Sequence, residues 1–236
     1  MKALILAAGF GSRLAPITDH CPKSLVPVNG KPILMKQIEN LHENGIMDIT
    51  IVSGYKAQIL QKAVHDLYPD IHIIESVDYA TTNNMYSAYL AKDAMCGTGF
   101  LMMNADVFYD ASVIAELLKF DAENAIVTDI GTYLEESMKV VEKDGRLVQI
   151  SKAIQEKDAL GSSIDVYKFS AEGAAAFFAK CANYIEQKKE LKLWSEVALN
   201  DILRSVEFRA CPLVGRWLEI DNHDDLAAAN RLFAEQ

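Results

Sequence analysis

Apolar and polar positions follow two rhythms along this chain, and the point where the rhythm changes divides it. Residues 2–8, KALILAA, are apolar on both alternating faces, the pattern of a strand buried between two layers. In KPILMKQIENLHENG the apolar residues Ile33, Leu34, Ile38 and Leu41 fall at helical spacing, and Gly45 supplies a stop. A strand follows at DITIVSG (48–54), then an amphipathic helix at AQILQKAVHDLY (57–68) and a strand at DIHIIES (70–76). A helix is expected at MYSAYLAKDAM (85–95) and a buried strand at GFLMMNADV (99–107). This alternation through about residue 120 predicts right-handed βαβ units and a mostly parallel sheet flanked by helices.

Beyond that point strands crowd together. NAIVTDIG, SMKVVEKDGRLVQISKAI and SSIDVYKFS read as strands joined by turns, with Asp144-Gly145 a strong hairpin signal. Helices are expected in AEGAAAFFAKCANYIEQKK and SEVALNDILRSV, and a last strand, RWLEID, leads into the helix HDDLAAANRLFAEQ. No repeat, low-complexity tract or linker separates the halves. The fold class expected is therefore α/β, with a Rossmann-like sheet and a smaller β-rich subregion in one domain over 1–236.

Composition narrows the class. With 236 residues, half of them hydrophobic, the chain can bury a full core. Its net charge of −10 argues against a general grip on nucleic acid or on an anionic membrane surface. Cys21, Cys96, Cys181 and Cys211 are widely spaced and form no metal-ligand cluster, which reads as reduced thiols in a cytoplasmic protein. The apolar run at the start enters a glycine loop instead of an export-signal cleavage site, and no run approaches the length of a membrane span. The five histidines show no ligand spacing.

Chemistry enters at the end of the first strand. Gly9 and Gly11 sit where an open α/β sheet places its ligands, and glycines there let backbone amides approach a phosphate. An isolated G-x-G is equally the mark of a tight turn. The dinucleotide fingerprint fails, because position 14 is Leu and no acid ends the second strand. A P-loop fails too, since Pro32 follows Gly30-Lys31. What remains is Gly-x-Gly-Ser12-Arg13 followed by Lys23. Arg13 can grip phosphate oxygens bidentately and Lys23 adds a compact cation. Either alone suits a solvated surface, whereas together beside a glycine loop they suit a triphosphate.

This segment, LAAGFGSRLAPITDHCPKSLVPVNGKPIL, resembles the amino-terminal signature of the sugar-phosphate nucleotidyltransferases, LxxGxGxRLxPxTxxxPKxLxxVxxKPhL, over 29 residues. NNMYSAYLA and the compact length look most like the phosphocholine cytidylyltransferase branch. The resemblance implies transfer of a nucleotidyl group from a nucleoside triphosphate to a phosphorylated acceptor, with pyrophosphate released. It also divides the chain into a nucleotide-binding part (about 1–120), an acceptor-binding part (about 121–215) and a closing metal strand and helix (about 216–236).

Two acids end apolar strands. Asp106 follows FLMMNA and Asp221 follows RWLEI, and a carboxylate in such a place is costly unless paired or holding a cation. Each also suits a helix cap, with Asn222 an equal candidate beside Asp221. Two carboxylates from separate strand ends can hold Mg²⁺ against a phosphate, and the resemblance puts the metal pair at Asp106 and Asp221. It often has Asp where this chain has Asn104, which leaves no auxiliary carboxylate there. A phosphate or phosphonate acceptor is already anionic, so no general base is required. Arg13, Lys23 and Asp106 are the catalytic candidates.

The nucleotide-binding candidates are Leu6, Ala7, Ala8, Gly9, Gly11, Ser12, Arg13, Lys23, Asn83, Asn84, Ser87 and Asp106. Asn83, Asn84 and Ser87 offer donors and acceptors to a base edge, although asparagines at a strand-to-helix junction also cap helices. In the resembling branch this segment lines the cytidine side, which favours CTP. For the acceptor, Lys139 and Lys152 are phosphate-binding candidates, while Trp194, Glu196 and Tyr133 offer aromatic faces and a carboxylate to a cationic head group. Two alternatives stay open: a sugar-1-phosphate nucleotidyltransferase using dTTP, UTP or GTP, and a non-catalytic nucleotide sensor. The expected partners are a nucleoside triphosphate and a phosphorylated small molecule, with Mg²⁺ as cofactor and a homo-oligomer left open.

Overall fold

The computed structural model describes residues 1–234, so Glu235 and Gln236 at the end of the expected last helix lie outside the described residues. In chain order the elements are β1 (Lys2–Ala7), β2 (Pro27–Val28), β3 (Lys31–Pro32), α1 (Ile33–Glu43), β4 (Ile49–Ser53), α2 (Ala57–His65) and β5 (His72–Glu75). There follow α3 (Asn84–Leu90), α4 (Lys92–Met95), β6 (Phe100–Asn104), β7 (Val107–Tyr109), α5 (Ser112–Lys119), β8 (Ala125–Ile130), β9 (Lys139–Lys143) and β10 (Arg146–Ser151). The chain closes with β11 (Gly161–Phe169), α6 (Ala171–Ala182), α7 (Ser195–Ile202), β12 (Arg209–Pro212), β13 (Trp217–Glu219) and α8 (His223–Leu232).

The sheet has a parallel run, β6-β1-β4-β5, as the βαβ rhythm requires. β11 joins it antiparallel to β6 and carries β9, β10, β8 and β12 onward from its other edge. The two-sided character of KALILA is literal. Ala3, Ile5 and Ala7 face α1, α2 and α5 in one apolar cluster, while Leu4 and Leu6 face α3, α6 and α7 in another. At about 25 cal/mol per Å² of apolar surface, these two layers dominate the driving force for folding. A third, smaller cluster places Leu14, Val26, Val28 and Ile33 against Phe108, Ile220 and Ala229, which draws the end of the chain onto its beginning.

Three local departures matter for the site. The strand expected across 99–107 breaks at Ala105-Asp106, because the Asp106 carbonyl accepts from Ile220 N at 2.9 Å and β7 leaves to pair with β13. The Asn29-Gly30 pair, both at positive φ, closes a small β2–β3 hairpin that the helical reading of this region passed over. β12, unforeseen in a short stretch ending at Pro212, pairs in parallel with β8 far upstream. Asp144-Gly145 does form its hairpin turn, with φ of 51° and 76°. All four cysteines are unpaired. Among the described residues no helix is long and apolar enough to cross a membrane.

Candidate active site

A cavity of about 440 Å³ opens at the carboxyl end of β1. Of the expected residues, Leu6, Ala7, Ala8, Gly9, Arg13, Lys23, Asn83, Asn84, Ser87, Asp106, Lys152, Trp194, Glu196 and Asp221 line it. Gly11, Ser12, Lys139 and Tyr133 do not line it. Gly9, Phe10, Arg13 and Lys23 of the long front loop stand at the wall, and its second glycine works from behind.

Gly11 has φ +65°, the left-handed region, and a Cβ there would lie 2.7 Å from Lys23 Cβ. Glycine is needed both for the turn and for the approach of the Lys23 stem. Thr18 Oγ1 donates to Gly11 O at 3.0 Å, and Leu14 N donates to the same carbonyl, so the loop is held from below. The amides of Gly9, Phe10, Gly11, Ser12 and Arg13 form no hydrogen bond among the described residues. A run of free N–H groups at the end of a parallel strand is an anion-binding arrangement. Phe10, overlooked in the sequence, stacks on Tyr55 with ring centroids 4.1 Å apart and braces the loop's outer side.

Lys23 is the hub. Its Nζ donates to Asp106 Oδ2 at 2.9 Å and to Asp221 Oδ1 at 2.6 Å, and Arg13 Nη2 meets Asp221 Oδ2 at 2.7 Å. Burial works against the Lys23 ammonium, yet Asp106 and Asp221 hold its pKa well above the usual lysine value. For Asp221 burial pushes upward, and Lys23 and Arg13 overcome it, leaving the carboxyl below its usual range. Neither acid caps a helix. Asn222 caps α8 in a capping box with Asp225, which leaves the Asp221 carboxylate free to face the cavity. The Asp106 turn is clamped from α1, where Gln37 Nε2 donates to the carbonyls of Asn104 and Val107, both at 2.8 Å.

Sequence reasoning missed Glu219 and Asp165. Glu219 stands two residues before Asp221, and strand alternation puts Trp217, Glu219 and Asp221 on one face, a signal legible in RWLEID. Asp106, Glu219 and Asp221 each bring a carboxylate oxygen within 4.8 Å of the others. Burial, then Asp106, Asp165 and Asp221, raise the Glu219 carboxyl well above its usual range. Asp106 Oδ1 is buried with no partner. An all-oxygen donor set containing an orphaned carboxylate oxygen fits Mg²⁺.

Asn83 caps α3, its Oδ1 accepting from Asn84 N at 2.8 Å, and Asn84 Oδ1 accepts from Ser195 N at 2.8 Å. A helix cap and a tie to the start of α7 therefore engage the two side-chain carbonyls, while Asn84 Nδ2 forms no hydrogen bond among the described residues. Lys139 is corrected outright. It is only 5% exposed, and its Nζ donates to the carbonyls of Leu134, Glu135 and Ser137, tying down the turn that brings Glu136, Ser137 and Met138 to the cavity. An ammonium surrounded by backbone oxygens is consumed by the loop and has nothing left for a ligand. Tyr133 points outside the cavity wall, on the exposed stretch leading into that turn. Lys152 does face the cavity, its Nζ 5.1 Å above the Trp194 ring.

Four similarities accompany this geometry. The nucleotidyl transferase family description matches residues 2–236. The CTP:phosphoglutamine cytidylyltransferase of Campylobacter jejuni is 28% identical over 248 aligned positions, covering 96% of this chain and 98% of that protein. The choline-phosphate cytidylyltransferase of Streptococcus pneumoniae is 44% identical over 98 positions, 42% of each chain. A solved structure of the CTP:phosphocholine cytidylyltransferase from Streptococcus pneumoniae superposes with a TM-score of 0.81 at 26% identity, over 98% of this chain and 97% of that one.

Proposed function

The chain belongs to the nucleotidyl transferase family and is a nucleotidyltransferase, and from that premise we propose that it moves CMP from CTP to a phosphorylated small acceptor, releasing pyrophosphate. The observation that carries the reading is the meeting of Lys23, Arg13, Asp106 and Asp221 beside the free amides of the Gly9–Arg13 loop. Family membership sets the sensor alternative aside.

Each group then has a part. The loop amides and Arg13 cradle the β- and γ-phosphates of the triphosphate. Lys23 moves from its acids to the phosphate oxygens and neutralises the charge that builds as the bond to pyrophosphate breaks. Asp106 and Asp221, with Glu219 beside them, hold Mg²⁺, which supplies further neutralisation of phosphate oxygens when bound. The acceptor oxygen is already anionic and attacks the α-phosphorus in line with the leaving group, so no side chain serves as base. Lys152 binds the acceptor phosphate, and the Asn84 amide with Ser87 meets the base. We place the enzyme in the cytoplasm, making an activated head group for surface-glycan or lipid assembly.

The test is pyrophosphate release over a matrix of CTP, UTP, dTTP and GTP against amino-alcohol phosphates, phosphonates and sugar 1-phosphates, with Mg²⁺ present. Fastest turnover is expected with CTP and a non-sugar acceptor. A sugar 1-phosphate turning over fastest with dTTP, UTP or GTP would replace this reading by the sugar-nucleotide alternative. No release with any pair would overturn both.

A further inference from the structure

Helix α1 turns two polar side chains into the core. Its buried face is otherwise apolar, with Ile33, Leu34, Ile38 and Leu41, yet Gln37 and Asn40, three residues apart, are both fully buried. Each leaves its own amide oxygen unanswered, since Gln37 Oε1 and Asn40 Oδ1 are buried with no partner among the described residues. An apolar side chain at either place would avoid that desolvation penalty. What the two amides do with their hydrogens has to offset it.

Strand β7 is paired along one edge, with β13. Carbonyls alternate in direction along a strand, so those of Val107 and Tyr109 point away from the edge where Asp106 O accepts from Ile220 N. Gln37 Nε2 donates to Val107 O and Asn40 Nδ2 to Tyr109 O, each at 2.8 Å, and the two amides stand in for a neighbouring strand. There their roles part. Gln37 donates its second hydrogen to Asn104 O, also at 2.8 Å, at the end of β6. One nitrogen therefore straddles the Ala105-Asp106 break, where the chain leaves the main sheet for the small one.

Asp106 lies between those two carbonyls. Its Oδ2 accepts from Lys23, and its own carbonyl is tied to Ile220, the residue before Asp221. The opening of the turn sets where the Asp106 side chain points, and Gln37 sets the opening, because two hydrogens on one planar nitrogen hold both acceptors at a fixed separation. The same helix carries the Lys23 loop, since Ile33 N donates to Val26 O at 3.2 Å. One rigid element thus mounts both the cation and the acid it meets.

Resting on the transfer reading above and its metal assignment, we propose that Gln37 is a positioning residue for the metal site: by bridging Asn104 O and Val107 O it aims the Asp106 carboxylate at the ion shared with Asp221. Gln37 is not among the residues that line the cavity, so it acts through the turn and touches neither metal nor substrate. Asn40, one helical turn further on, holds β7 without spanning the break and serves stability alone.

The experiment compares the full chain with Gln37→Met, which keeps the bulk and removes both hydrogens, and with Asn40→Leu, which does the same at the neighbouring amide. Mn²⁺ binding in the presence of α,β-methylene-CTP is read by water-proton relaxation, the Mg²⁺ midpoint by pyrophosphate release, and stability by thermal unfolding. Gln37→Met should weaken Mn²⁺ binding and raise the Mg²⁺ midpoint about tenfold, the scale on which outer partners of metal ligands act. Asn40→Leu should lower the unfolding temperature and leave both metal readings unchanged. Gln37→Glu, whose buried carboxyl stays neutral and keeps one hydrogen for one of the two carbonyls, should fall between wild type and Gln37→Met. That variant carries the test where Gln37→Met does not fold.

Wild-type Mn²⁺ affinity in a folded Gln37→Met, or in Gln37→Glu in its place, would overturn the proposal. So would an equal loss of metal binding in Asn40→Leu, or the failure of both Gln37 variants to fold, which would make the residue part of the fold alone. Transfer by a wild type that binds no Mn²⁺ would overturn it while the transfer reading stands. If no pair in the wider matrix releases pyrophosphate, the transfer reading fails, and Mn²⁺ binding still judges Gln37.

Discussion

The ammonium of Lys23 donates to Asp221 Oδ1 at 2.6 Å, and the same nitrogen reaches Asp106 Oδ2 at 2.9 Å. One cation thus bridges the two acids assigned to the metal. Its stem packs on Gly11 through Cβ, an atom that alanine keeps. Lys23→Ala should therefore fold and lose turnover by about 10²–10³, the range seen when one charge-stabilising donor is removed. Single-turnover kinetics with circular dichroism as the folding control checks this. Near-normal turnover would take Lys23 out of the mechanism.

Chelation should abolish turnover, and Mg²⁺ should restore it. Asp106→Asn turns the orphaned acceptor at Oδ1 into a weaker amide ligand. The Mg²⁺ concentration for half-maximal rate should rise at least tenfold in that variant and in Asp221→Asn. Titration of pyrophosphate release against Mg²⁺ measures it, and an unchanged curve in both variants would remove the metal from these acids.

Gly54 is a residue whose role appears only in the fold. A Cβ there would lie 2.7 Å from Tyr79 Cβ and 2.8 Å from both Ala8 Cβ and Ala8 O. Gly54→Ala must push the Tyr79 loop off the end of β1, at a cost of about 1–3 kcal/mol for overpacking. Both Ala8 and Tyr79 line the cavity, so the nucleotide KM should rise with the loss of stability. Thermal unfolding and a CTP titration read the two effects, and a variant as stable and as tight as wild type would show that the contact yields freely.

Lys139→Met tests the reassignment of that lysine. Removing the ammonium leaves three carbonyls of the 134–137 turn without their donor. The turn should become accessible to protease and the acceptor KM should rise several-fold with the CTP KM unchanged. Lys139→Arg should recover part of the loss. A variant with an intact turn but no acceptor binding would return Lys139 to the phosphate.

Arg216 grips Asp110 through two bonds of 2.9 Å, Nε to Oδ2 and Nη2 to Oδ1, and Nη1 reaches the Leu232 carbonyl near the end of α8. Burial raises the Asp110 carboxyl, and Arg216 more than reverses this, holding it below its usual range. A depressed folded-state pKa gives stability that is present above the ordinary carboxylate value near 4 and is lost as pH falls through the lower one. Asp110→Asn should cost about 1 kcal/mol at pH 7, as expected for a half-exposed bidentate pair, and less at pH 2, where the carboxylate is losing its charge. Denaturant melts at the two pH values check it. An equal cost at both would show that shape, and not charge, holds the pair.

Much of this was legible in residues 1–34. Gly9, Arg13 and Lys23 lie within a few turns of chain, where local spacing and chemistry constrain one another, and a repeating strand–helix rhythm has few ways to pack. Asp106 and Asp221 were legible for a similar reason, since each is a charge at the end of an apolar strand. Glu219 was hidden in plain alternation, and Asp165 was hidden by a bulge, which no hydropathy pattern announces.

The sequence by itself determined the βαβ half, the glycine turn and the cations and acids available to it, because buried strands and helices impose periodicities that neighbouring residues must obey. Only the tertiary structure decided which of those groups are free. Lys139 is spent on three carbonyls, Asn83 on a helix cap, and Glu196 on a tyrosine that Asp165 shares. A side chain's hydrogen-bonding capacity is finite, and its claimants arrive from segments far away in the chain.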